Sequence, residues 1–190
     1  MKIGLFFGSF NPIHHGHLMV ASYIANHTAL QQIWLVVSPQ NPHKTQASLL
    51  NEYDRLHLAQ LAIEDDDQIK VSDIEFKLPK PSYTIDTLTY IQEQFPQHEF
   101  SVIMGGDSFQ NLPKWKNFEM LIKNYQFIVY RRPGFEITEM HGARVQYLEA
   151  PMLELSATLI RNNCKDGITI RYLVPEKVRE EIENNNYFKE

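Results

Sequence analysis

The chain has 190 residues, enough for one domain with a full hydrophobic core and short for two. An apolar share of 43%, a charged share of 22% and a net charge of −5 fit an ordinary globular protein and disfavour extended nucleic-acid binding, so any phosphate must be held by a local cluster of cations. The single cysteine, Cys164, excludes an internal disulfide and a multi-cysteine zinc site.

The apolar start is a strand over residues 3–7 that ends at Gly8, too short for a signal-peptide core or a membrane span. No later run is long enough to span a membrane either, and a reducing cytoplasmic setting with no membrane partner is expected. A helix over 17–27 carries Leu18, Ala21, Ile24 and Ala25 at helical spacing, and a second buried strand covers 33–37. The loop Pro39 to Lys44 precedes a helix from about 52 to 64, with Leu56, Ala59, Leu61 and Ile63 as its apolar positions. The acidic run Glu64-Asp65-Asp66-Asp67 reads as a solvated loop.

Residues 69–76 suggest one strand or two short ones; Pro79 and Pro81 then break the chain before a helix over 84–94. A strand over 99–104 meets Gly105-Gly106, with a short helix after Asp107 and another around 118–122. Strands at 125–130 and 144–148 follow, then helices near 156–162 and 175–185. Alternating strands and helices without repeats or linkers predict an α/β fold with a doubly wound parallel sheet, one domain over 1–190, and ligands where strand ends meet helix starts.

The first such place is the segment Gly8-Ser9-Phe10-Asn11-Pro12-Ile13-His14-His15-Gly16-His17. Gly8 permits a sharp turn after the strand, and backbone N–H groups at the helix start favour an anion. His14 and His17, three apart, can face one spot and donate to phosphate oxygens. Zinc ligation or loop histidines without a task are the bland alternatives; no cysteine or carboxylate assists a metal here. The dinucleotide pattern G-x-G-x-x-G and the P-loop pattern are both missing. Near the other end, Ser156 is a good N-cap, and Thr158 and Arg161 share a helical face from which a hydroxyl and a guanidinium can address the same phosphates.

The ten-residue segment from Gly8 to His17 closely resembles the G-[TS]-F-[DN]-P-x-H-x-G-H signature of the nucleotidyltransferase superfamily. Leu155 to Arg161 resembles its I-S-[ST]-x-x-R signature. Three further segments, Pro39 to Lys44, Pro81 to Leu88 and Gly105 to Trp115, resemble the nicotinate-mononucleotide branch in particular, and the resemblance runs in family order from Lys2 to about Arg161. It implies a Rossmann-like nucleotidyltransferase fold and transfer of an adenylyl group from ATP to nicotinate mononucleotide in pyridine nucleotide biosynthesis. His14, His17 and Arg161 would be catalytic, and Gly8, Ser9, Phe10, Gly106, Asp107, Ser156 and Thr158 would complete the ATP site.

Lys44, Thr84 and Trp115 would bind the mononucleotide: a mobile cation for its phosphate, a hydroxyl at a helix start for its carboxylate, and an indole to stack on the pyridinium ring. Each has a plainer role open to it: a solvated lysine, an N-cap and core packing. Asp107 could accept from ribose hydroxyls or cap the helix that follows it. Arg131 and Arg132 are secondary candidates at another strand end.

Mg²⁺ is expected to arrive with ATP, without a protein side chain as ligand. Two positions depart from the family pattern without removing a phosphate donor: Phe7-Gly8 stands where two glycines are usual, and Ala157 replaces a serine. Asn11 replaces the commoner aspartate and removes a negative charge near the triphosphate, which argues against a first-motif metal ligand. The rivals are nicotinamide mononucleotide or phosphopantetheine as acceptor, or a non-catalytic nucleotide sensor. Homo-oligomerisation stays open.

Overall fold

The computed structural model describes residues 1–40, 49–131, 140–151 and 153–189. Six strands are ordered β3-β2-β1-β4-β5-β6, every neighbouring pair parallel. They are β1 (Lys2–Gly8), β2 (Gln32–Val37), β3 (Ile69–Ser72), β4 (Glu99–Gly105), β5 (Gln126–Tyr130) and β6 (Arg144–Leu148). The helices are α1 (His15–His27), α2 (Glu52–Ala62), α3 (Thr84–Gln94), α4 (Gly106–Gln110), α5 (Phe118–Asn124), α6 (Ala157–Lys165) and α7 (Glu176–Asn184). Residues 69–76 split after Ser72, because Ile74–Lys77 closes into a 3-10 turn.

Side chains alternate across the sheet, as a strand period of two requires, so each face has its own core. On one face Phe6, Leu35 and Ile103 pack with Ala21 and Ile24 of α1, Leu58 of α2, Ile160 of α6 and Ile182 of α7. On the other, Leu5, Val102, Met104 and Phe127 pack with Leu88 and Ile91 of α3, Phe109 of α4 and Leu121 of α5. The face of α2 differs from expectation: Arg55, Leu58 and Ala59 are its buried residues, whereas Leu56, Leu61 and Ile63 are only half-buried.

The acidic run is the exposed loop expected, with Glu64, Asp65 and Asp67 at the surface. Asp66 accepts from the backbone N–H groups of Gln68 and Ile69, both at 2.8 Å, and Glu64 pairs with Lys177.

The chain moves outward from β1 to β3, returns to pair β4 with β1, and then moves outward the other way. The order of strands therefore reverses between β1 and β4. A crevice opens at such a reversal beyond the strand ends, here Gly8 and Gly105.

Candidate active site

A cleft of about 1270 Å³ occupies this crevice, larger than the roughly 300–1,000 Å³ of most small-ligand pockets. Its size suits two nucleotides side by side.

The loop after β1 is shaped by one ring. Phe10 takes a left-handed φ of 43° and is 1% exposed, which turns its side chain back beneath the loop. There it meets Phe6 edge-on at 6.0 Å and His17 at 5.1 Å. A Cβ on Gly8 would lie 2.8 Å from the Phe10 ring, so glycine is required for close approach rather than for an unusual φ. Phe10 thus supports the loop from below.

His14 is the N-cap of α1, which starts two residues earlier than the sequence suggests. His14 and His17 bracket the first turn, and their rings stack at 3.7 Å with planes 26° apart. Gly16 allows this, since a Cβ there would come within 3.0 Å of the His14 ring. Both imidazoles line the cleft, as do Gly8 and Ser9. One N–H of the helix start is engaged elsewhere: His15 donates to the Leu173 carbonyl at 3.2 Å.

The start of α6 also lines the cleft, packed beside this loop. Ser156 caps the helix, accepting from the Leu159 N–H at 3.2 Å. Arg161 donates through Nη2 to Thr158 Oγ1 at 3.2 Å and through Nη1 to the Asn11 carbonyl at 2.8 Å. Burial lowers the Arg161 pKa, but a guanidinium stays charged. The Asn11 side chain is a brace, accepting from the Leu50 N–H at 3.2 Å.

The far half of the cleft is bounded by the starts of α3 and α4. Thr84 is the first residue of α3, whose N-cap is Tyr83 without a side-chain cap, so the N-cap alternative for Thr84 does not hold. Trp115 is half-buried against the core and also lines the cleft, which joins its two expected roles. Asp107 lines the cleft from within the first turn of α4; Gly105, not Asp107, is the N-cap. Gly106 is buried at the helix start, and Gly105 forms the wall instead.

Lys44 and Arg132 lie outside the described residues. Arg131 pairs with Glu149 at 3.1 Å and is not among the described residues that line the cleft. Among those, the cations are Lys114, Lys116 and Arg161; Lys116 also holds Asp86 at 2.7 Å and lies 4.8 Å over the Tyr83 ring. Among the described residues no group of three or more His, Cys, Asp or Glu side chains converges as a metal site. No helix among them is long and apolar enough to cross a membrane.

Sequence reasoning missed two buried charges that organise the cleft. Arg55 is 0% exposed and donates to four backbone carbonyls: Leu50 at 2.9 Å, Ser9 at 2.6 Å, Ser38 at 2.8 Å and Pro39 at 3.0 Å. Desolvation lowers its pKa. Glu75, 2% exposed, accepts from Ser82 Oγ and Thr87 Oγ1, each at 2.8 Å, and the Ser38 hydroxyl lies near enough to favour its charge. Burial raises its pKa against the effect of those three hydroxyls. The only available signal was position, on the sheet-facing side of α2 for Arg55 and at the end of the third strand segment for Glu75.

A reversed parallel sheet, a histidine-bearing helix start at its switch point and an arginine closing the site from a late helix define a nucleotidyltransferase. In agreement, the sequence profile of the family described as Cytidylyltransferase-like matches residues 5–163. The chain is 46% identical over 192 residues to a Flavobacterium psychrophilum protein named "Probable nicotinate-nucleotide adenylyltransferase", covering 100% of both chains. It is 49% identical to a Cytophaga hutchinsonii protein of the same name, covering 99% of this chain and 98% of that one. The chain belongs to the nicotinate-nucleotide adenylyltransferase family.

The fold is shared with Plasmodium falciparum nicotinic acid mononucleotide adenylyltransferase complexed with NaAD, at a TM-score of 0.83 and 22% identity, covering 98% of this chain and 97% of that one.

Proposed function

We propose that this protein transfers the adenylyl group of ATP to nicotinate mononucleotide, releasing pyrophosphate and forming nicotinate adenine dinucleotide for NAD biosynthesis. The observation that carries this is one cleft lined by the His14–His17 turn and Arg161 together with Thr84 and Trp115. Full-length relatives at 46% and 49% identity bearing that enzyme name support the choice of acceptor.

The attacking phosphate of the mononucleotide has a second pKa near ~6 and is largely dianionic at neutral pH. It needs no general base and no covalent intermediate. The barrier is the approach of two anions and the charge that gathers on leaving pyrophosphate, so catalysis is positioning and charge stabilisation.

His14 and His17 donate near the reacting α-phosphorus, and Ser156, Thr158 and Arg161 hold the outer phosphates. Asp107 and the Gly105 wall take the ribose side, while Thr84 and Trp115 take the nicotinate carboxylate and ring. Lys44 and the cleft lysines Lys114 and Lys116 supply cations for the mononucleotide phosphate. Mg²⁺ belongs to the incoming ATP, where it offsets phosphate charge. The C-terminal helices share a core with the sheet, which supports one domain over 1–190.

Supplying MgATP with nicotinate mononucleotide, nicotinamide mononucleotide or phosphopantetheine and following pyrophosphate tests the acceptor. Release should be fastest with nicotinate mononucleotide. No release with any acceptor would favour a nucleotide sensor, and equal rates with the amide would remove only the acid preference.

A further inference from the structure

Resting on the adenylyl-transfer reading, we propose that Glu75 is a positioning residue for the mononucleotide half of the cleft, tied to the triphosphate half through Ser38 and Arg55. Glu75 accepts from Ser82 before α3 and from Thr87 within α3, and the Ser38 hydroxyl, just beyond β2, also favours its charge. Ser82 and Thr87 stand on either side of Tyr83-Thr84, so one carboxylate fixes the stretch that begins α3 from both directions.

Ser38 also faces the other way. Its carbonyl accepts from Arg55 Nη1 at 2.8 Å, and the same nitrogen reaches the Ser9 carbonyl at 2.6 Å. A chain of buried contacts therefore runs from Ser9 in the triphosphate loop through Arg55, Ser38 and Glu75 to Ser82 and Thr87 beside Thr84. Its geometry sets the distance between the two half-sites, and an adenylyl transfer depends on that distance.

Stability alone does not account for the carboxylate. Among the described residues its hydrogen-bonding partners are hydroxyls and none is a cation, and burial works against its charge. A neutral side chain of the same size would pack there at lower cost. Glutamate supplies two oxygens that only accept, one for Ser82 and one for Thr87, whereas an amide turns one of them into a donor.

The test compares wild type, Glu75→Gln and Ser82→Ala. Rates are measured with nicotinate and nicotinamide mononucleotides at saturating MgATP, and ATP binding is measured by calorimetry without acceptor. Glu75→Gln is expected to lower kcat/KM for nicotinate mononucleotide about tenfold, mainly through KM, and to shrink the acid-to-amide ratio about fivefold, while ATP affinity stays within about twofold. Ser82→Ala, which removes one donor and leaves the carboxylate, should shift the ratio the same way by about two- to threefold and carries the test if Glu75→Gln does not fold. An unchanged acid-to-amide ratio in an active, folded variant overturns the positioning role. So does an equal loss for both acceptors and for ATP. A wild type inactive with both mononucleotides instead defeats the underlying function, and the inference falls with it.

Discussion

Arg161 Nη1 donates to the backbone carbonyl of Asn11 over 2.8 Å, joining two segments 150 residues apart in sequence. The contact fixes the late helix against the loop after β1 and leaves the guanidinium on the cleft wall. The same arginine bonds to Thr158, so its fork is oriented before any ligand arrives. A preorganised cation costs little reorganisation when charge develops.

Arg161→Ala should therefore lower kcat by about 10²–10³, the range for loss of a transition-state donor. Arg161→Lys keeps the charge but cannot hold Asn11, Thr158 and a phosphate in one plane, and should recover only part of the loss. Steady-state kinetics with varied MgATP distinguishes the two. A lysine variant at wild-type rate would mean that charge alone matters.

His17 should behave similarly. Its ring stacks on His14 and rests on Phe10, so it can donate to phosphate without searching rotamers. His17→Ala is expected to lose about 10²–10³ in turnover with thermal stability close to wild type. A variant at full turnover on its best acceptor would remove His17 from the mechanism.

Gly8 tests the loop from beneath. An added Cβ would meet the Phe10 ring at 2.8 Å, and that ring is buried against Phe6 and His17. Gly8→Ala should destabilise the fold by about 1–3 kcal/mol, measured by denaturant unfolding, and raise the KM for ATP. Unchanged values for both would show that Phe10 gives way freely.

How much of this was legible in the sequence depends on the residue. The span of α3 was read without error at either end, because prolines before it and apolar spacing within it mark both limits. The paired histidines, Ser156 as N-cap and the Thr158–Arg161 face also followed from local spacing. Arg55 and Glu75 did not. Periodicity assigns a charged side chain to solvent, and what buries these two is the convergence of carbonyls or hydroxyls from distant segments. Nor did spacing show that Gly105 rather than Asp107 would cap α4, since the preceding strand runs one residue further than its apolar pattern.

The buried Glu75 carboxyl gives a pH dependence of stability. Desolvation raises its pKa above the ordinary glutamate value of about 4.5, so between that value and the raised one the folded protein holds more proton than the unfolded chain. Stability from this group is greatest below the unfolded pKa and falls as pH rises through the window above it. The Tm of wild type relative to Glu75→Gln should therefore drop as pH increases from about 4.5 upward. Parallel Tm profiles would indicate that the carboxyl is not desolvated.

Following the α-phosphorus tests transfer of the adenylyl group itself most directly. With ATP labelled at the α-phosphate and nicotinate mononucleotide as acceptor, all transferred label should appear in nicotinate adenine dinucleotide, with one unlabelled pyrophosphate per product. Label found in free AMP, or none leaving ATP while the acceptor is bound, would contradict the account.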